Sequence, residues 1–180
     1  MKKVIIVGGD KVAYNLIGLL SEEKVYDVRV IDTRIEICER IANNFDVKVF
    51  HGDGTNVDIL ERAEAMGADV LIALTGTDES NLVACQIAKM HFDVALTIAK
   101  VNNPRNATVL KILGVDRIFS STQMIAKMID QEVSYSGMSL AYNIPGTTKA
   151  IVSVPLHPLS GANGKTLAEY SFIGDSRVVL

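Results

Sequence analysis

Tryptophan is absent from this 180-residue sequence, cysteine occurs twice and proline four times. Cys38 and Cys85 are too few for a disulfide framework and stand in no C-x-x-C or metal-ligand spacing. They are expected to be buried free thiols of a reducing compartment. An excess of positive charge is missing too. The 18 lysines and arginines face 21 acids, a formal net charge of -3, which gives no long-range pull toward nucleic acid or anionic lipid. No apolar run approaches the ~18 to 20 residues that a membrane-spanning helix needs. The N-terminal Val4-Ile5-Ile6-Val7 is too short for a secretion signal, so any membrane contact is expected to go through a partner. A reaction centre is equally hard to find. His51, His91 and His157 are scattered, no serine stands in a nucleophile elbow, and no metal-ligand set or substrate domain accompanies them. The chain reads as a non-enzyme.

What the sequence does have is a repeated alternation. Lys3 to Val7 is a β-branched run ending in Gly8-Gly9, and Val12, Leu16, Leu19 and Leu20 recur behind it at helical spacing. Asp27 to Ile31 reads as a second strand closed by Asp32, and Ile35 to Phe45 as a helix with Ile37, Ile41 and Phe45 on one face. The pattern continues through strands at 47–50, 69–74, 95–101 and 117–119. Helices are expected at 57–64, 79–91, 106–113 and 122–133. Strands that read as near-continuous apolar runs are those of a parallel sheet covered on both faces. The fold class is therefore α/β, a Rossmann-like doubly wound parallel sheet with helices on both faces.

The last expected helix, 122–133, carries Met124, Ile125, Met128, Ile129 and Val133 in one stripe, either packed on its own sheet or kept for a subunit contact. Ser134-Tyr135-Ser136-Gly137 and Pro145-Gly146-Thr147-Thr148 then mark a hinge. The tail reads as a strand over 149–156, a turn-rich loop over 158–165, a short helix opening at 166–169 and a strand at 177–180. Such a tail has unpaired edges, and from about residue 148 it is expected to be the beginning of a second domain, cut short.

The residues with chemical potential lie at the expected carboxyl ends of strands, where open α/β sheets bind ligands. A glycine turn leading into a helix presents backbone N–H groups and the positive helix end to an anion. Here the turn reads Gly8-Gly9-Asp10-Lys11-Val12-Ala13, with aspartate where the dinucleotide pattern has its second glycine. Asp10 either caps the following helix or meets the phosphate. A carboxylate about 4 Å from a phosphate is repelled by roughly 4 kcal/mol at an effective dielectric near 20, so weak or cation-dependent binding of phosphate-bearing nucleotides is expected. Asp32 ends the second strand where an acid accepts hydrogen bonds from ribose hydroxyls, with Thr33 and Arg34 beside it. Arg34 can stack on adenine, attract a 2′-phosphate or sit in solvent. Asp53-Gly54-Thr55 and Thr75-Gly76-Thr77 with Glu79 occupy two further strand ends. Lys100 can set a positive charge over the same crevice.

These residues together resemble a family. Val4 to Ala13, the Asp32 strand end, FHGDGTN (Phe50 to Asn56), ADVLIALTGTDESNLVACQIAK (Ala68 to Lys89), IAKVNNP (Ile98 to Pro104) and LGVDRIFSSTQMIAKMI (Leu113 to Ile129) are similar to the RCK, or TrkA-N, domain. That domain is found in cytosolic regulatory subunits of Trk and Ktr potassium-uptake systems. GANGKTLAE (Gly161 to Glu169) resembles the opening of the companion α+β RCK-C domain. The resemblance implies residues 1–136 as RCK-N, 137–148 as linker and 149–180 as a truncated RCK-C. It implies an adenine nucleotide, ATP, ADP, NAD or NADH, in the crevice. By resemblance Gly8, Gly9 and Val12 line the phosphates, Asp32 binds the ribose, Asp53 and Gly54 border the adenine, and Thr75, Gly76, Glu79 and Lys100 meet the far phosphates or a cation. It also implies a homodimer or larger ring on a membrane potassium-translocating subunit, at the inner face of the membrane. The competing readings are a fragment of an NAD(P)-dependent oxidoreductase and a dimerisation domain that binds no nucleotide.

Overall fold

The computed structural model describes residues 1–134, 139–143, 150–153, 158–166 and 168–171. Strands β1 (Lys2–Val7), β2 (Tyr26–Asp32), β3 (Lys48–His51), β4 (Val70–Ala73), β5 (Leu96–Lys100) and β6 (Arg117–Phe119) alternate with helices. The helices are α1 (Lys11–Glu22), α2 (Ile35–Asn44), α3 (Val57–Arg62), α4 (Asp78–Phe92), α5 (Ala107–Ile112) and α6 (Ser121–Ser134). All six strands pair in parallel, in the order β3-β2-β1-β4-β5-β6. The chain runs outward from β1 to β3, then crosses back to β4 on the other side of β1. The order of a doubly wound sheet thus reverses between β1 and β4, and its ligand crevice is expected there.

Strand periodicity builds the two covered faces. In β1, Ile5 and Val7 point into one apolar layer with Leu60, Leu71, Ala84, Ala88 and Phe92. Val4 and Ile6 point into the other, with Ala13, Ile17, Val30, Ile41 and Ile72. Full burial of each large aliphatic side chain contributes about 1.5–3 kcal/mol, which is why these strands carry no polar alternation. Cys38 and Cys85 are buried free thiols within this sheet-and-helix body, and burial pushes the Cys85 thiol up to about 12.

Several local expectations are corrected. The buried face of α1 is Ala13 and Ile17, while Val12 and Leu19 are exposed. Small Ala13 takes the third-glycine position of the turn motif and lets the helix lie close on the sheet, which turns the bulkier leucine stripe partly outward. Segment 106–113 begins as a 3-10 turn, Pro104–Asn106, because proline supplies no N–H for an earlier helical bond. In α6, Met124 and Ile125 are more than half exposed, so they do not pack on the sheet as one reading supposed. Met128, Ile129 and Val133 are exposed as well.

The chain separates into two compact units, Met1–Ile125 and Ala126–Leu180. In the second, β7 (Ser139–Asn143) and β8 (Ala150–Ser153) form an antiparallel pair with an irregularity between Leu140 and Tyr142. The stretch 137–148, expected as linker, therefore contributes a strand, and β8 covers the described part of the strand expected over 149–156. Residues 168 and 169 form a turn, and the helix start expected at 166–169 lies partly outside the described residues. The Glu169 carboxylate accepts from the Thr166 N–H and hydroxyl, both at 2.9 Å, which is half of a capping box. The strand expected at 177–180 lies outside the described residues. No helix among the described residues is long and apolar enough to cross a membrane.

Candidate functional site

A crevice of about 200 Å3 opens at the carboxyl ends of β1, β2 and β4, lined by Val7, Gly8, Asp10, Ile31, Asp32, Thr33, Arg34, Thr75 and Gly76. It sits at the strand-order reversal. Gly8 has φ of +98°, and a Cβ there would lie 3.0 Å from the Leu74 and Thr75 backbone. The turn therefore requires glycine. Gly9 is held just as tightly, since a Cβ would meet Ile37 at 2.5 Å, and its N–H donates to Asp32 Oδ2 at 2.6 Å.

Asp32 is the centre of the crevice. Its side chain is 3% exposed, and Oδ1 accepts from the Arg34 N–H and Nε, both at 2.9 Å. Oδ2 accepts from Gly9 and, at 2.8 Å, from Arg34 Nη2. Burial works to raise the carboxyl, but the Arg34 side chain and the Arg34 and Gly9 amides outweigh it and hold the group below the usual aspartate range. The same Nη2 reaches across 24 residues of sequence to Asp10 Oδ1 at 2.9 Å. The Asp32 and Asp10 hydrogen bonds together raise the guanidinium pKa still further. Asp10 stands at the N-cap of α1 but its side chain makes no cap hydrogen bond. The alternative in which it caps the helix is thus corrected. Arg34 draws the carboxylate sideways and leaves the first turn of α1 without a side-chain cap.

The other singled-out residues separate into groups. Thr33 lines the crevice, and its carbonyl accepts from His51 Nε2 at 3.0 Å, so that nitrogen carries the proton. Thr75 and Gly76 form the opposite wall. Lys11 lies instead in a separate depression with Tyr14, Asn15 and Arg40, where Arg40 stacks 4.9 Å from the Tyr14 ring centroid. Val12, Asp53, Gly54, Thr55, Thr77, Glu79 and Lys100 do not line the crevice. Asp53 closes its own turn by accepting from the Thr55 N–H and hydroxyl. A Cβ on Gly54 would collide with Val7, so this glycine serves close packing beneath β1. The Thr77 side chain caps α4 by accepting from the Ser80 N–H. Glu79 is exposed in the first turn of α4, and Lys100 is half-buried at the last residue of β5.

Two residues to which the sequence reading assigns no role, Asp78 and Asn81, hold the far wall in place. Asn81 is fully buried. Its Oδ1 accepts from the Thr75 N–H and hydroxyl at 2.8 and 2.7 Å, and its Nδ2 donates to the Lys100 carbonyl at 2.9 Å. Asp78 is buried and accepts from Asn102 N and Nδ2, Asn103 N and Asn106 Nδ2 at 2.6 to 3.1 Å. Against the upward push of burial, these donors hold its carboxyl below the usual range. The T-x-x-D-x-x-N and N-N-P-x-N segments are thus two halves of one latch between β4, α4 and β5. Their signal in the sequence was the clustering of short amides beside a helix start.

No cluster of three or more His, Cys, Asp or Glu among the described residues could hold a metal ion. The donors present suit a phosphorylated nucleoside. A glycine turn and an uncapped first helical turn are backbone of the kind that receives an anion, and the buried Asp32 carboxylate ends β2, where Rossmann-type sites carry a ribose-binding acid. Fold and crevice together define a Rossmann-like domain of the nucleotide-binding type.

The TrkA-N domain model matches residues 4–121, and the chain belongs to that family. It is 32% identical over 131 residues to the Trk system potassium uptake protein TrkA homolog of Methanothermobacter thermautotrophicus, an alignment covering 73% of this chain and 60% of that protein. The chain thus spans about three-fifths of that relative's length. Among solved structures, Kef CTD of Shewanella denitrificans in AMP-bound form is 26% identical with a TM-score of 0.63, covering 74% of this chain and 79% of that one. The GsuK channel bound to NAD, 20% identical, has a TM-score of 0.67 over 79% of this chain and 25% of its own, and shares the fold.

Proposed function

We propose that this chain is a regulatory, non-enzymatic domain of a potassium-uptake system that senses an adenine nucleotide in the crevice between β1, β2 and β4. The observation that carries this reading is the placement of Gly8, Asp32, Thr33, Arg34, Thr75 and Gly76 around one cleft at the reversal of strand order. The potassium-uptake name of the Methanothermobacter relative and the AMP and NAD of the two solved neighbours support it. In this reading the Gly8 and Gly9 turn and the start of α1 near Val12 receive phosphate, Asp32 receives the ribose, and the loop of Asp53 and Gly54 borders the adenine. Thr75, Gly76, Glu79 and Lys100 serve the distal phosphates or a cation bound with them. The domain is cytoplasmic and reaches the membrane through a potassium-translocating partner. It assembles with further copies through the exposed stripe of α6, and residues beyond the 137–148 segment belong to an RCK-C unit.

A thermal-shift panel of AMP, ADP, ATP, NAD, NADH and S-adenosylmethionine on the purified chain tests the reading. At 100 times its dissociation constant, a ligand that binds only the folded state stabilises it by about 2.7 kcal/mol. A rise in melting temperature of several degrees is therefore expected for at least one adenine nucleotide. No rise with any of them would leave the non-binding dimerisation reading in its place.

A further inference from the structure

A carboxylate has about four lone-pair positions, and all four on Asp32 are taken. Two are held by backbone, the Gly9 and Arg34 N–H groups. The other two are held by one movable side chain, through Arg34 Nε and Nη2. A ribose diol that donates to Asp32 needs two positions, and the guanidinium holds the only two that can be released without unfolding the turn. The Arg34 side chain is 43% exposed while that of Asp32 is 3% exposed, so it is Arg34 that can leave. Asp10 Oδ1 already holds Nη2 on the side of the α1 N-terminus, where a phosphate approaching the glycine turn would lie.

We propose that Arg34, held by Asp10, is the residue that sets ligand class at this crevice. It closes Asp32 to unphosphorylated nucleosides and yields it to nucleotides whose phosphate becomes its new anionic partner. The proposal rests on the reading of the crevice as an adenine-nucleotide site. A nucleoside replaces two ion-paired bonds to a buried carboxylate with two from neutral hydroxyls and strands a guanidinium on Asp10 alone. A nucleotide makes the same exchange at Asp32 but returns an anion to Arg34, and charge-assisted pairs are roughly twice as strong as neutral ones. Asp10 therefore acts first as the holder of this cation, and its charge toward phosphate is partly cancelled.

The test is calorimetric titration of the full chain with adenosine, AMP and ADP, for wild type, Arg34→Ala and Asp10→Asn, each checked for folding by its melting curve. Wild type is expected to prefer AMP to adenosine by at least about tenfold. Arg34→Ala should bind adenosine several-fold more tightly than wild type and lose most of the preference for AMP. Asp10→Asn should tighten AMP and keep the preference. If Arg34→Ala melts early, Arg34→Lys serves instead, because an ammonium cannot fork onto both carboxylate oxygens, and the same ordering is expected. Adenosine binding unchanged or weakened on losing the guanidinium, with the AMP preference intact, would overturn the proposal while leaving the nucleotide site standing. No binding of any of the three ligands by any variant would overturn both.

Discussion

Asp32 and Asp78 are both buried carboxylates beside the carboxyl ends of strands, and four donors surround each. Their donors differ. Those of Asp78 are backbone N–H groups and short asparagine amides fixed by the loop after β5, with no cation among them. Those of Asp32 include a half-exposed guanidinium on a long side chain that also serves Asp10. A carboxylate satisfied by the backbone is scaffold, because nothing can be withdrawn from it without opening the loop. One satisfied by a movable cation can exchange partners, which is what a binding residue needs to do.

The largest effect that would break this contrast is at Asp78. Replacing it by alanine leaves the Asn102 and Asn103 N–H groups and the Asn106 amide without their acceptor, and is expected to destabilise the domain by about 3 kcal/mol, read in a denaturant melt. The pH dependence follows the same logic. The folded carboxyl lies below the ordinary aspartate value of 3.8, so its contribution is fully present above the unfolded value and is lost as pH falls through the folded one. Wild type should therefore lose stability more steeply below pH 3.8 than Asp78→Asn does. Equal acid limbs in the two proteins would mean the latch carries no such weight.

Much of the fold was legible in the sequence because buried parallel strands announce themselves as apolar runs, and each of the six strands falls within a residue or two of its expected place. Strand order was not legible, since nothing local in β4 says that it returns to pair with β1. The latch was missed for a related reason. Asp78 and Asn102 lie 24 residues apart and become neighbours only through the pairing of β4 with β5. The place of Asp32 in the crevice was legible because its position at the end of β2 is itself the signal. The partnership of Asp10 with Arg34 was not, because a helix-start aspartate reads as a cap, and only the side-chain path across the crevice shows the arginine taking it instead.

The smallest expected effect lies at the outer half of the Asp32 network. The Asp10–Arg34 pair is nearly half exposed on both sides, and exposed ion pairs contribute about 0 to 1 kcal/mol. Asp10→Asn should therefore leave the denaturation midpoint almost unmoved. A loss comparable to that of Asp78→Ala would show that the pair is scaffold after all and that the two carboxylates are not different in kind.

The most direct measurement is a backbone amide NMR titration of the labelled chain with AMP. Perturbations are expected to concentrate at Gly8 to Val12, Thr33 and Arg34, and Thr75 to Thr77, with the Asn102 and Asn103 amides of the latch little changed. Saturating AMP that moves none of the crevice amides, or that moves only residues away from β1, β2 and β4, would contradict the assignment of this crevice as the nucleotide site.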